Sequence, residues 1–378
     1  MKYRVVGRTG LEFSVISFGG MRIGQVCAED EVVGMVHRAL DLGVNFFETG
    51  PLYTNSMQWL GRAFRGRDEE IHVCSKALIR PGEPGEFKPG FMFTADDARR
   101  NIDFSIETLG VERLDLFGGW SMSHSEDWER FLARGGPLEG IRKAQDERLV
   151  GHVYATSHGV PAEVVKWLQT GEFAAITIPY NIAKRHFRPV IDYCGENGIG
   201  CFIMQATAGG LLASNKGRLG QLIAEHVGDQ DPAQAAQRWL LAHAGITSVP
   251  VGFTALDQVE SSCEIGDEAD YLMAQGEDAV DYLADYADIA TGLCTRCGYC
   301  EPCPEGLPLR NSIQPIQMWK ILDDEEALKQ YLSHVKVDPA VCVECGQCVE
   351  KCPQSLPIPQ FMGEMVEEMK RLGVRVQQ

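Results

Sequence analysis

A (β/α)8 barrel followed by a small, mainly helical, cysteine-rich domain is the α/β fold class that this sequence predicts. Three observations predict it. Short apolar runs alternate with amphipathic stretches through roughly the first 260 residues, eight of each. The first run is followed by "GGMRIG", which lacks the G-x-G-x-x-G phosphate turn expected of an open doubly wound sheet. Of the 13 cysteines, eight fall after residue 293, in two dense quartets.

The chain opens with "MKYRVVGRTGLEF", read as two short strands around a turn at Arg8–Gly10, a hairpin under the barrel floor. The eight strand candidates are "VISFG" (15–19), "VNFFE" (44–48), "IHVCS" (71–75), "LDLFG" (114–118), "VGHVYA" (150–155), "AAITI" (174–178), "GCFIM" (200–204) and "ITSVP" (246–250). They are apolar and rich in β-branched and aromatic residues, as parallel strands covered on both faces must be. Helices lie between them. Asp30 is expected to cap one whose apolar side carries Val33, Val36, Ala39 and Leu40, and Gly43 to end it. Thr94 with Asp97 spells a capping box, closed by Gly110. Asp231–Pro232 starts "AQAAQRWLLAHA", with Gly245 as its stop. The breaker-rich segment 79–93 should be a loop after the third strand, at the rim where a TIM barrel does its chemistry. Expected domains are a barrel over 1–264, an acidic helical connector over 265–290 and a cysteine-rich module over 291–378.

Composition narrows the function. Hydrophobic residues make up 44% and charged residues 23% of the 378, ordinary for a globular protein. No apolar run approaches the about 20 residues a membrane helix needs. The N-terminus lacks the apolar core of a secretory signal, so the cytoplasm is expected. A net charge of −18 argues against nucleic acid. No Lys or Arg falls between Arg238 and Arg296, where Asp and Glu are frequent; a solvated connector is favoured over a docking face for a basic partner.

The quartets are "CTRCGYCEPCP", with Cys294, Cys297, Cys300 and Cys303, and "CVECGQCVEKCP", with Cys342, Cys345, Cys348 and Cys352. Three thiolates at C-x₂-C-x₂-C wrap three corners of an iron–sulfur cube, and the fourth, beside a proline, ligates the neighbouring cube. Cys294, Cys297, Cys300 and Cys352 are thus assigned to one 4Fe-4S cluster, and Cys342, Cys345, Cys348 and Cys303 to a second. Structural zinc is the rival, though it usually takes two C-x₂-C pairs. The helical stretch "PIQMWKILDDEEALKQYLSH" between the quartets points to a ferredoxin-like module. Cys27, Cys74, Cys194, Cys201 and Cys263 read as small apolar residues.

On "RVVGRTGLEFSVISFGG", "GVNFFETGPLYTNSMQWLGRAF", the strand ending in Lys76, "IPYN" and the cysteine tail, the chain resembles the aldo-keto reductases, in the branch with a C-terminal 4Fe-4S ferredoxin domain. The resemblance implies a nicotinamide-dependent oxidoreductase that reduces a carbonyl, or oxidises an alcohol, at the barrel's C-terminal rim. It places the acid/base on Tyr53, a pKa-lowering ammonium on Lys76 and the carboxylate that anchors it on Glu48, where the family has Asp. Trp120 stands where the family has His; indole donates one hydrogen bond but exchanges no proton. His124 and His158 are nearby alternatives. For NADP(H) or NAD(H), the resemblance implies Thr156 and Ser157 at the carboxamide, Thr177 beside them, Met204 under the nicotinamide, Gly209 and Gly210 at the pyrophosphate, and Gly252, Thr254, Gln258 and Ser262 at the adenosine. Val251 and Gln258 occupy the places of 2′-phosphate-gripping basic residues. The expected partners are a small carbonyl or alcohol and an external electron carrier. The alternative is an iron–sulfur electron-transfer enzyme or redox sensor whose barrel binds a ligand without nicotinamide.

Overall fold

A computed structural model describes residues 1–80, 87–213, 225, 231–281, 294, 298–322, 325–352 and 354–375. The chain forms two compact units, one from Met1–Asn181, His186–Ala206 and Ala236–Asp281, the other from Ile182–Arg185, Thr207–Ala235 and Tyr282–Gln378.

The hairpin forms as expected. Strands β1 (Tyr3–Val5) and β2 (Glu12–Ser14) pair antiparallel with Arg4 opposite Phe13. Gly7 takes a positive φ in the turn, and a Cβ there would strike the Gly198 carbonyl oxygen at 2.3 Å. Phe13 is fully buried and stacks on Phe46 at 4.1 Å, so the hairpin seals the barrel with an aromatic floor.

The eight expected strands are present as β3 (Ile16–Gly19), β4 (Phe46–Glu48), β5 (His72–Ile79), β7 (Leu114–Trp120), β8 (Val150–Thr156), β9 (Ala175–Pro179), β10 (Gly200–Met204) and β11 (Val249–Val251). All pair parallel, in the spatial order β10-β9-β8-β7-β5-β4-β3-β11. A parallel bridge between Phe202 and Ser248, with Ile203 N–H donating to the Ser248 carbonyl at 3.0 Å, nearly closes the ring. Every strand therefore ends at the same rim.

Local chemistry explains the helices, with two differences from expectation. Helix Glu29–Asp41 starts one residue before Asp30: its N-cap is Ala28, whose N–H donates to Glu31 at 2.8 Å, and Val32, Met35, Val36, Ala39 and Leu40 are its buried residues. Asp30 lies inside the first turn, where its charge favours the helix N-terminus. Helix Ala95–Leu109 has the expected Thr94–Asp97 box and ends on Gly110 at φ 67°. Asp231 accepts from the N–H groups of Ala233 and Gln234 at the start of helix Pro232–Leu241. The second difference lies in the segment 79–93: β5 continues to Ile79, and Phe91–Met92 adds a two-residue parallel strand, β6, on β5. The boundary expected at 264 falls within helix Leu256–Asp267, and a further helix, Ala269–Gln275, buries Ala269 and Leu272.

In the second unit, helices Leu309–Leu322, Glu325–Leu332 and Ile358–Leu372 enclose a core that includes Ile313, Ile316, Leu328, Leu332, Met362 and Met365. Among the described residues no helix is long and apolar enough to cross a membrane.

Candidate active site

The barrel interior is layered, and the layering puts the polar residues together. Val6, Phe13, Phe46, Cys74, Leu116, Tyr154, Ala175 and Phe202 form one buried cluster at the floor. Side chains alternate faces along a strand, so the residue two further on points the same way, one layer nearer the rim. That step leads from Phe46 to Glu48, from Cys74 to Lys76, from Leu116 to Gly118, from Ala175 to Thr177 and from Phe202 to Met204.

Lys76 is 1% exposed, and its ammonium donates to Glu48 Oε1 at 2.5 Å and to the Thr49 carbonyl at 2.9 Å. It lies over the Tyr53 ring, 4.5 Å from the centroid. Trp120 meets that ring edge-on, with centroids 5.2 Å apart and planes at 87°, forming a wall of the site. The four residues expected to carry the chemistry are therefore adjacent. Lys76 lowers the Tyr53 phenol as expected, but the net shift is upward. Burial and the Glu48 carboxylate push the Tyr53 phenol up, and together they outweigh the lowering by Lys76. Burial alone would lower the Lys76 ammonium, but Glu48 and the neighbouring phenol hold it above its ordinary value.

Non-glycine residues with positive φ follow directly after three predicted positions: Thr54 after Tyr53, Ser121 after Trp120 and Gln205 after Met204. Such strain collects where a fold must aim side chains at a site. The bare end of β7 also has a cause. A Cβ at Gly118 would lie 1.6 Å from the Tyr154 carbonyl oxygen, and one at Gly119 2.0 Å from the Met122 sulfur. The His124 backbone N–H donates to Asp127 at the start of helix Ser125–Leu132, and the His158 backbone N–H donates to Ser123 Oγ, bonds that leave the roles of both imidazoles open.

The dinucleotide positions divide. Thr156 Oγ1 accepts from Ser121 N–H at 2.7 Å. Ser157 is fully buried; its hydroxyl gives its proton to the Met122 carbonyl at 2.7 Å and accepts from Gly159 N–H. Thr177 is turned inward to the Tyr154 hydroxyl, and Ser262 is 2% exposed in the face of its helix that packs on the core. Those last three side chains do not fit the carboxamide and adenosine roles. Gln258 is exposed but accepts from the Thr254 N–H at 2.9 Å, capping its own helix. Met204 is half-buried, while Gly252 and Thr254 are exposed on the barrel unit. Gly209 and Gly210, on the second unit, are exposed with φ of 72° and 101°.

Tyr154 and Thr49 also belong to the site, and neither stands out in the sequence. Tyr154 sits on an apolar strand, and the only signal is that a buried tyrosine hydroxyl needs a partner. It donates to Glu48 Oε1 at 3.2 Å. Thr49 contributes its backbone carbonyl, which any residue could supply.

The cysteines gather around two hollows. One, of about 400 Å³, is lined by Cys303, Cys342, Cys345 and Cys348; the other, of about 290 Å³, is lined by Cys294, Cys300 and Cys352. Cys300 and Ile358 line both, so the hollows share a wall. Cys297 lies outside the described residues. Cys303 of the first quartet thus lies with Cys342, Cys345 and Cys348 of the second, and Cys352 of the second lies with Cys294 and Cys300.

Comparison with known proteins agrees with this geometry. The aldo/keto reductase family matches residues 15–271, and a 4Fe-4S dicluster domain matches residues 293–356. The chain is 25% identical to the L-galactose dehydrogenase of Arabidopsis thaliana, over 69% of this chain and 87% of that protein. It is 23% identical to the L-glyceraldehyde 3-phosphate reductase of Escherichia coli strain K12, over 70% of this chain and 87% of that one. The fold is similar to that of the holo form of aldo-keto reductase AKR11C1 from Bacillus halodurans, with a TM-score of 0.60, 20% identity, and coverage of 73% of this chain and 96% of that one. With its nearly closed barrel and its two cysteine-lined hollows, this chain belongs to the aldo/keto reductase family of oxidoreductases and carries a 4Fe-4S dicluster domain after the barrel.

Proposed function

We propose that the barrel interconverts a small carbonyl compound and its alcohol, with Tyr53 exchanging the proton. The observation that carries this reading is the buried arrangement of Glu48, Lys76 and Tyr53 at the rim, with Lys76 bonded to Glu48 at 2.5 Å and lying 4.5 Å from the centroid of the Tyr53 ring. In reduction, Tyr53 O–H gives its proton to the substrate oxygen as negative charge develops there. The Lys76 ammonium then stabilises the phenolate left behind, and Glu48 keeps the ammonium over the ring. Bound NADPH or NADH would supply the hydride; Met204, Gly252 and Thr254 are the accessible barrel positions that fit it. Tyr53→Phe removes the proton and keeps the ring. With glyceraldehyde as carbonyl probe and either nicotinamide, its kcat should fall by about 10²–10⁴-fold. Unchanged turnover removes Tyr53 from the mechanism.

The second domain, in this reading, holds one 4Fe-4S cluster on Cys294, Cys297, Cys300 and Cys352 and another on Cys303, Cys342, Cys345 and Cys348, and exchanges single electrons with an external carrier.

The committed hydroxyl of Ser157, with the inward Thr177 and the buried Ser262, favours a second reading, in which the barrel substrate reacts through the clusters and no nicotinamide binds. Titration of NADPH and NADH against tryptophan fluorescence separates the two. Saturable quenching supports the first, and no response to either nucleotide supports the second.

A further inference from the structure

The reading of Tyr53 above leaves one feature of the barrel unexplained, and this inference rests on that reading. The carboxylate that holds Lys76 belongs to a glutamate, one methylene longer than the aspartate the family resemblance implies. We propose that Tyr154 is a positioning residue that fixes Glu48, and through it Lys76, from the floor of the barrel.

Tyr154 is fully buried on β8, with its ring in the apolar floor cluster 6.2 Å from that of Phe202. Its hydroxyl donates to Glu48 Oε1 at 3.2 Å and bonds the hydroxyl of Thr177. A phenol has one proton, so donation to Glu48 requires that Thr177 donate to the phenol oxygen. The bonds then run one way, from Thr177 to Tyr154 to Glu48. The same carboxylate oxygen accepts from Lys76 at 2.5 Å. Oε1 is therefore held from two sides, by an ammonium from the rim layer and a phenol from the floor layer. The extra methylene has a physical use here, because it carries Oε1 further from β4, to the point where both donors meet it. A buried carboxylate with one partner removed is free to turn, and the ammonium would follow it off the Tyr53 ring. A role in positioning differs from a proton relay. Thr177 is itself 1% exposed, so the chain of bonds has no outlet to water.

Tyr154→Phe keeps the ring in the floor and removes only the hydroxyl. The readout that needs no turnover is the ¹⁵Nζ resonance of Lys76 in protein labelled at lysine, assigned by its loss in Lys76→Met. In the parent protein this buried ammonium should exchange slowly with water. In Tyr154→Phe it should exchange faster and shift, with the melting temperature nearly kept. With glyceraldehyde as probe, kcat should fall by about tenfold with KM little changed, the loss of one hydrogen bond to a charged group. Thr177→Val should act in the same direction and more weakly. Glu48→Asp, which draws the carboxylate back by one methylene, should make the Tyr154→Phe change nearly silent in the double variant.

A Lys76 resonance unchanged by Tyr154→Phe overturns the inference, as does a double variant whose effects simply add. The two readings fail separately. If Tyr53→Phe keeps full turnover while Tyr154→Phe still moves the Lys76 resonance, the assignment of Tyr53 falls and the positioning of Glu48 stands. If Tyr53→Phe is inactive and Tyr154→Phe matches the parent in both readouts, the reverse holds.

Discussion

At Tyr53 an ammonium lies 4.5 Å from the ring centroid, yet the phenol is held above its ordinary 10 rather than below it. Burial penalises the phenolate, and Glu48 cancels much of the charge that Lys76 would otherwise present. The consequence is a pH profile. Tyr53 stays protonated throughout the neutral and mildly alkaline range, so carbonyl reduction, which needs the phenol, should show no loss attributable to this group until the pH exceeds 10. Alcohol oxidation needs the phenolate and should rise with pH over the same range. Initial rates in both directions check it, and a reduction rate that titrates away near neutrality would point to a different acid. Gly118 makes a steric claim at the same scale. Gly118→Ala sets a methyl 1.6 Å from the Tyr154 carbonyl, so β7 and β8 must part. The variant should lose on the order of 3 kcal/mol in a denaturant melt.

Elements decide which residues meet. The strands of the barrel are in parallel register, with Lys76 opposite Gly118, Gly118 opposite Tyr154 and Glu48 opposite Cys74, so residues far apart in sequence meet where the floor and rim layers adjoin. The cysteine segments work differently. The helices between the quartets return the chain so that Cys303 lies with Cys342, Cys345 and Cys348, and Cys352 lies with Cys294 and Cys300. That crossing predicts which substitutions share a phenotype. In anaerobically purified protein, Cys345→Ser should lower iron and sulfide by about half and spare the cluster at the other hollow. Cys352→Ser should lose the same cluster as Cys294→Ser, although Cys352 lies in the quartet of Cys345. Electron paramagnetic resonance of the reduced variants distinguishes the two signals, and a common signal lost in Cys345→Ser and Cys352→Ser alike would reject the exchange. Cys345 is exposed, whereas Cys294, Cys300 and Cys352 are each buried or half-buried, so the cluster of the larger hollow should also be the first to yield iron to a chelator.

Over the whole molecule, stability should decline on the acid side in two stages. His243 is buried and held below its ordinary 6.5, chiefly by burial, with Arg188 and Arg4 adding to the effect and Glu277 and Asp192 opposing it. Burial lowers His152 as well. Both imidazoles bind a proton more readily unfolded than folded, so their contribution is fully present above pH 6.5 and is lost as the pH falls below it. Asp115 follows at lower pH. Burial opposes its charge, but its bonds to His72 and to the Val73 N–H prevail and hold it below 3.8. A carboxyl depressed in this way stabilises above its unfolded value and loses that effect as it protonates. Thermal melts across this range check the order, and a melting temperature that is flat through pH 6.5 would contradict the first stage.

The order of strands, the Thr94–Asp97 cap, the hairpin and the presence of a 4Fe-4S dicluster domain are all legible in the sequence, because each depends on short-range chemistry: side-chain period, capping, turn residues and ligand spacing. Tyr53, Lys76 and Glu48 are legible too, since they stand at or just beyond strand ends. What only the tertiary structure decided lies in the barrel interior. Whether Ser157 faces a ligand or the Met122 carbonyl, whether Gly118 is bare for a substrate or for a neighbouring strand, and whether Tyr154 is packing or an anchor depend on which atoms the nearly closed sheet brings within 3.2 Å. Burial then sets the sign of the Tyr53 shift, because the cost of charge without water is a property of the enclosure and of no residue alone.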